Sequence, residues 1–122
     1  MLQLAFWLVA SHAVCDFALQ PDAMARGKSR RHGVILAGDQ RHEPGWLMWL
    51  SAHSMVHAAG VAGALAIVGR ADLWWLGLAE AGLHGAIDHL KSDRRITMIT
   101  DQVLHLACKA LWIAAAAALP EV

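Results

Sequence analysis

Four pairs of ionisable side chains recur at one spacing in the most apolar parts of this chain: His12 and Asp16, His53 and His57, His84 and Asp88, and Asp101 and His105. Residues four apart lie on one face of an α-helix, a single turn from each other, so each pair presents two donor groups to the same space. Imidazole and carboxylate together suit zinc, manganese or iron. No cysteine stands at ligand spacing beside them, which argues against a thiolate-rich zinc or copper site. Five histidines and three aspartates exceed the needs of one tetrahedral ion, so the expectation is one or two divalent metal ions per chain, zinc first and manganese or iron as alternatives. Paired metals in helix bundles normally use Glu-x-x-His spacing, which is not the spacing here. A metal held this way lowers the pKa of a bound water to about 7 and makes hydroxide available for attack on an ester, amide or phosphate. A hydrolase is the enzymatic reading.

Two further residues lengthen these stripes. Glu80 stands one turn before His84 and Lys109 one turn after His105. In antiparallel neighbours they fall at similar depth and are expected to form an ion pair, because an unpaired buried charge is costly. The other role open to Glu80 is catalytic, as a general base. His89 follows Asp88 and must point elsewhere on its helix, toward an interface or the outer side of the site. His32 and His42 fall in a polar loop and are expected to be solvated.

The elements that would position these residues are four apolar segments: roughly Leu2 to Leu19, Gly45 to Val68, Asp72 to Leu90, and Thr100 to Leu119. Each approaches the ~20 residues that a helix needs to cross a hydrocarbon core. Pro21, Pro44, Gly69 and Pro120 punctuate them, and Asp72 and Thr100 are candidate N-caps. None alternates with period two, so the expected class is all-α, a membrane-embedded bundle of about four helices with a short interfacial helix or loop after the first. An ionisable residue at the centre of a spanning helix costs roughly 2.5–3.5 kcal/mol, so eight of them, one pair per segment, imply a shared purpose.

Topology adds an independent check. Arg26, Lys28, Arg30, Arg31 and Arg41 lie between the first and second segments, and Lys91, Arg94 and Arg95 between the third and fourth; the second connection carries only Arg70. By the positive-inside rule the basic connections are cytoplasmic and both termini lie outside. With alternating helix direction all four pairs then fall in the cytoplasmic half. Trp46, Trp49, Trp74 and Trp75 suit either interfacial anchoring or core packing.

Composition agrees with a membrane: 57% of residues are hydrophobic and 16% charged, against about 45–50% and about 25% in soluble domains. At 122 residues the chain is expected to form one domain, since each of two cores would be too small. Ten Lys and Arg balance ten Asp and Glu, which leaves no net field for a nucleic acid. Cys15 and Cys108 read as buried free thiols. The first segment lacks a basic leader and carries His12 and Asp16, so it is expected to belong to the fold.

The motifs His12-x-x-x-Asp16-Phe17-x-Leu19-Gln20, His53-Ser54-x-x-His57, His84-x-x-x-Asp88-x-x-Lys91 and Asp101-Gln102-x-x-His105 span nearly the whole chain. In them the sequence resembles a family of small bacterial and phage membrane proteins, domain of unknown function 3307. The resemblance implies a multi-pass protein of the bacterial inner membrane with a metal site, and brings no reaction with it. A more distant likeness to membrane-bound metal-dependent hydrolases rests on the His and Asp pairs alone.

Three functions compete on these residues. A hydrolase in the bilayer would act on a lipid-linked phosphate or a membrane peptide. An ion or electron carrier would use the same pairs, but the three aspartates argue against haem, and a pathway would need polar residues beyond Glu80 and Lys109. A non-catalytic membrane module would use the pairs as hydrogen-bonded glue, with Gly60, Gly63 and Gly69 permitting close helix contacts and leaving a homo-oligomer open.

Overall fold

Long runs of Ala and Leu favour helix, and where the inward side of each turn carries one polar pair the helices must turn those pairs toward each other. The computed structural model describes residues 1–31 and 44–120. His32, Arg41 and His42 lie outside the described residues. The chain is all-α. Helix α1 (Leu2–Ala13) continues into a π-helical turn (Val14–Ala18) and is followed by short α2 (Asp22–Gly27). Then come α3 (Trp46–Ile67), a 3-10 turn (Ala71–Leu73), α4 (Trp75–Ser92) and α5 (Met98–Ala118). Among the described residues there is no strand.

Two expected caps move. Thr97, not Thr100, caps α5: its Oγ1 accepts the Thr100 N–H at 3.1 Å, which satisfies one of the free donors of the first turn. Asp72 does not cap α4, which begins at Trp75; its carboxylate receives Nε and Nη2 of Arg70 instead, both at 3.1 Å. The same guanidinium donates to the carbonyls of Ala116 (2.5 Å), Leu119 (3.3 Å) and Pro120 (3.2 Å), so Arg70 closes the C-terminal end of α5. Gly69 ends α3 as expected, at a φ of +81 that favours glycine. Lys91 belongs to α4 rather than to the connection after it.

The helices alternate in direction and divide the interior into two layers. At one end Leu4 and Leu8 of α1, Val61 and Leu65 of α3, Leu76 of α4 and Trp112 of α5 form an apolar core. At the other end lie the eight His and Asp residues. Glu80 and Lys109 sit between, as an ion pair, with Trp112 Nε1 donating to the second carboxylate oxygen at 2.5 Å.

The outer surface has the opposite character. Phe6, Phe17, Leu47, Ile67, Ile99 and Leu111 are exposed, whereas His53, Glu80 and His84 are 0% exposed. Among the described residues one helix, Trp46–Ile67, is long and apolar enough to cross a membrane, and Leu2–Ala18 is a shorter apolar helix. Four near-spanning segments were expected. Glu80, Asp88, Asp101 and Lys109, with the histidines beside them, lower the mean hydropathy of α4 and α5 although those side chains are buried.

Close approach of α3 and α4 depends on a glycine outside the expected set. Gly63 faces open space and Gly60 meets Ser11 of α1 and Cys15 of the π-helical turn, but a Cβ on Gly77 would lie 2.6 Å from the carbonyl oxygen of Ala58. Gly77→Ala is therefore expected to lower stability by ~1–3 kcal/mol, because backbone must move to admit the methyl group. That outweighs the gain of ~1 kcal/mol in helix propensity. Thermal unfolding would read the change, and an unaltered or raised midpoint would mean that the two helices have room to spare.

Candidate metal centre

Each of the four pairs comes from a different helix, and the antiparallel order brings them to one level. In α1 the pair straddles the change to π geometry, marked by the Leu19 N–H donating to the Val14 carbonyl at 2.9 Å. His12 Nε2 and Asp16 Oδ2 remain 3.4 Å apart. In α4 His84 Nε2 lies 3.7 Å from Asp88 Oδ2, and in α5 His105 Nε2 lies 3.4 Å from Asp101 Oδ1.

Across helices the five imidazoles converge. The His57 ring stacks on His84 at 3.6 Å, and His84 on His105 at 4.2 Å. The His53 ring is 4.7 Å from His57, and the His12 ring is 5.1 Å from both His57 and His105. Asp16 reaches into this group from α1: its Oδ1 lies 3.1 Å from His57 Nε2 and 3.4 Å from His53 Nε2.

Two sets of donor atoms are close enough to share an ion, with all atoms of a set within 4.8 Å of one another: Asp16, His53, His57 and His84, and His84, Asp88 and His105. Thus six of the eight expected ligands gather into two overlapping sets joined at His84. His12 borders both sets without joining either. Asp101 is drawn aside to Lys91 Nζ at 3.1 Å and Gln102 Nε2 at 3.0 Å.

The carboxylates are not equivalent. Asp88 accepts from Lys28 Nζ at 2.5 Å, Asp101 from Lys91, and Glu80 from Lys109. Asp16 alone among these four has no Lys or Arg partner among the described residues; its neighbours are His12, His53, His57 and, at 3.5 Å, Gln102 Nε2. Three carboxylates are thus matched by ammonium groups, and the fourth stands beside imidazoles without a Lys or Arg partner among the described residues. The first set is the better cation site for that reason.

The donor chemistry fits a divalent metal. Both ring nitrogens of His12, His84 and His105, with His53 Nδ1 and Asp101 Oδ1, are buried without a hydrogen-bond partner among the described residues. A buried polar atom left unpaired costs ~1–3 kcal/mol, and such orphans are scarce in native proteins. An ion accepting imidazole lone pairs removes much of that penalty.

Sequence reasoning placed the eight residues at a common depth but overlooked Lys28 and the two glutamines. Lys28, just past α2, had stood only as one of a basic run, yet it is 6% exposed. Gln20 Nε2 lies 3.2 Å from His53 Nε2. Gln20, Lys91 and Gln102 were visible in the motifs, while nothing in the local pattern set Lys28 apart from Arg30 or Arg31. Glu80 forms the expected ion pair, and with both oxygens engaged by Lys109 and Trp112 it is not placed to take a proton from a reactant. His89 turns away from the site and stacks on Trp46 at 5.5 Å.

No curated protein and no solved structure matches the chain. The family described as Protein of unknown function (DUF3307) matches residues 4–120, and the chain belongs to that family.

Proposed function

We propose that this protein is a membrane-embedded, metal-dependent hydrolase whose reaction centre lies inside the helix bundle at its cytoplasmic end. The observation that carries the reading is the set of orphaned imidazole nitrogens at one level of the bundle. Asp16, His53, His57 and His84 would hold the ion, zinc first, with manganese or iron as alternatives. His105 and Asp88 offer a second position joined through His84. A divalent cation there supplies Lewis acidity toward water and toward a phosphoryl or carbonyl oxygen.

The chain's own groups prepare that chemistry. Glu80, fixed by Lys109 and Trp112, places a carboxylate oxygen 3.6 Å from His84 Nδ1, beside the imidazole that both donor sets share. Lys28 and Lys91 hold Asp88 and Asp101 in place. The apolar layer around Leu8, Leu65 and Trp112 seals the opposite side, which disfavours a pathway through the bundle. Inverted polarity supports the bilayer: a surface carrying Phe6, Phe17 and Ile99 around a core of His, Asp, Glu and Lys is stable where the solvent is hydrocarbon.

Metal content of detergent-purified protein, measured by mass spectrometry and compared with the double substitution His57→Ala and His84→Ala, tests the reading. One or two equivalents are expected in the wild type and none in the variant. Folded wild type with no stoichiometric metal would leave the second reading, a non-catalytic bundle held by bonds such as His57 to Asp16.

A further inference from the structure

Directly over the proposed metal centre, at the end of the bundle read as cytoplasmic, the described residues leave an opening. A cleft of about 620 Å³ lies there, lined by Gln20, Arg26, Lys28, Arg31, Lys91 and Arg94 together with small and apolar neighbours. That volume suits a small-molecule headgroup. Five of these six side chains are cationic, and no carboxylate is found among the described lining residues.

The floor of the cleft and the wall of the centre are the same side chains. Gln20 contacts His53 at 3.2 Å, Lys28 contacts Asp88 at 2.5 Å, and Lys91 contacts Asp101 at 3.1 Å. An anion resting on Gln20 and Lys28 is therefore one side chain away from His53 and Asp88, and Lys91 reaches Asp101 beside them. The rim carries three guanidinium groups. Arg31 and Arg94 have no ion pair among the described residues, and Arg26 has only a loose, exposed contact with Asp22 at 3.9 Å.

Arg94 supplies a second, independent observation. Its backbone is left-handed, with a φ of 59. The Arg94 N–H donates to the Lys91 carbonyl at 2.8 Å and the Arg95 N–H to the Leu90 carbonyl at 2.9 Å. That is the helix-ending pattern in which glycine is the usual residue, because a side chain there is strained. An arginine kept at a strained position on the rim of a cationic cleft points to work for its side chain.

We infer that this cleft binds the phosphate group of the protein's substrate, which deepens the hydrolase reading and rests on it for the word substrate alone. Planar guanidinium groups match a phosphate through paired hydrogen bonds, and a neutral peptide would leave the rim guanidinium groups of Arg31 and Arg94 without a counter-charge. The phosphate is borne either by a lipid or by a water-soluble molecule; the cleft recognises the group common to both.

The test is direct binding by calorimetry to detergent-purified protein, with dioctanoyl phosphatidate, inorganic phosphate, dioctanoyl phosphatidylcholine and acetate as probes. Saturable binding of a phosphate-bearing anion, without binding of the choline lipid or acetate, is expected. Tighter binding of phosphatidate than of inorganic phosphate assigns the source to lipid, and equal binding assigns it to the free group. Arg94→Gly is expected to weaken binding about tenfold, which corresponds to ~1.4 kcal/mol, while raising the thermal midpoint because the strain is relieved. Arg31→Gln, with no backbone effect, should weaken binding in the same direction. Phosphate binding in protein that holds no metal supports the cleft and lets the hydrolase reading fall alone. Stoichiometric metal with no saturable phosphate binding overturns the cleft alone, as would equal affinity for acetate or full affinity in both variants.

Discussion

Asp16→Asn is expected to abolish metal binding at the proposed centre, whereas Asp101→Asn weakens it by no more than the ~10–100-fold typical of a residue that acts through a ligand. The two aspartates stand at the same spacing from a histidine and differ in their partners. Asp101 already receives Lys91 and Gln102, so its charge is spent before any ion arrives. Asp16 is surrounded by imidazoles and one distant amide, and its charge is the one left for a cation. Asparagine keeps the shape and one acceptor oxygen, so the helix and its π turn should persist. Equilibrium dialysis against zinc, with far-ultraviolet circular dichroism as the check on folding, would separate the two variants. Equal loss of affinity in both would refute the idea that ion-pair partners rank these carboxylates.

The largest expected effect on stability lies one turn deeper. Lys109→Ala leaves the Glu80 carboxylate at 0% exposure with only Trp112 Nε1 as donor, and removing one partner of a buried pair typically costs ~3–5 kcal/mol. The remedy is as informative as the lesion. Glu80→Gln combined with Lys109→Met removes both charges, keeps an acceptor for Trp112 and preserves volume, so most of the loss should be recovered. Thermal unfolding of the single and double variants in detergent gives the comparison. A single variant as stable as the wild type would show that Glu80 is neutral or reached by water. A double variant no better than the single would show that the ion pair itself, rather than relief of an unpaired charge or packing of the Lys109 stem, is what the bundle needs.

These two cases mark what was legible in the chain and what was not. The Glu80 and Lys109 pair was foreseeable, since stripes at i, i+4 on antiparallel helices bring equal depths together. The misplaced caps at Asp72 and Thr100 show the limit of boundary reasoning. Asp72 is a good cap by type, but the neighbouring Arg70 offers its carboxylate a charged donor, and the chain takes a 3-10 turn before α4 begins. Gly77 was passed over because a glycine in an Ala-rich helix carries no signal of what crosses it; only the carbonyl of Ala58 on α3 makes it necessary.

The sequence alone determined the helical class, the face on which each His and Asp pair lies, and the end of the bundle where the basic connections gather, because these follow from local periodicity and from alternation of direction. Tertiary structure decided which carboxylate keeps its charge unmatched, which imidazoles stack, and that Lys28, carried on a short helix past α1, reaches back to Asp88. Those outcomes depend on how helices rotate and cross, and a side chain several ångströms long chooses its partner from residues 41 or 60 positions away. Spacing along one helix cannot encode a choice made between helices.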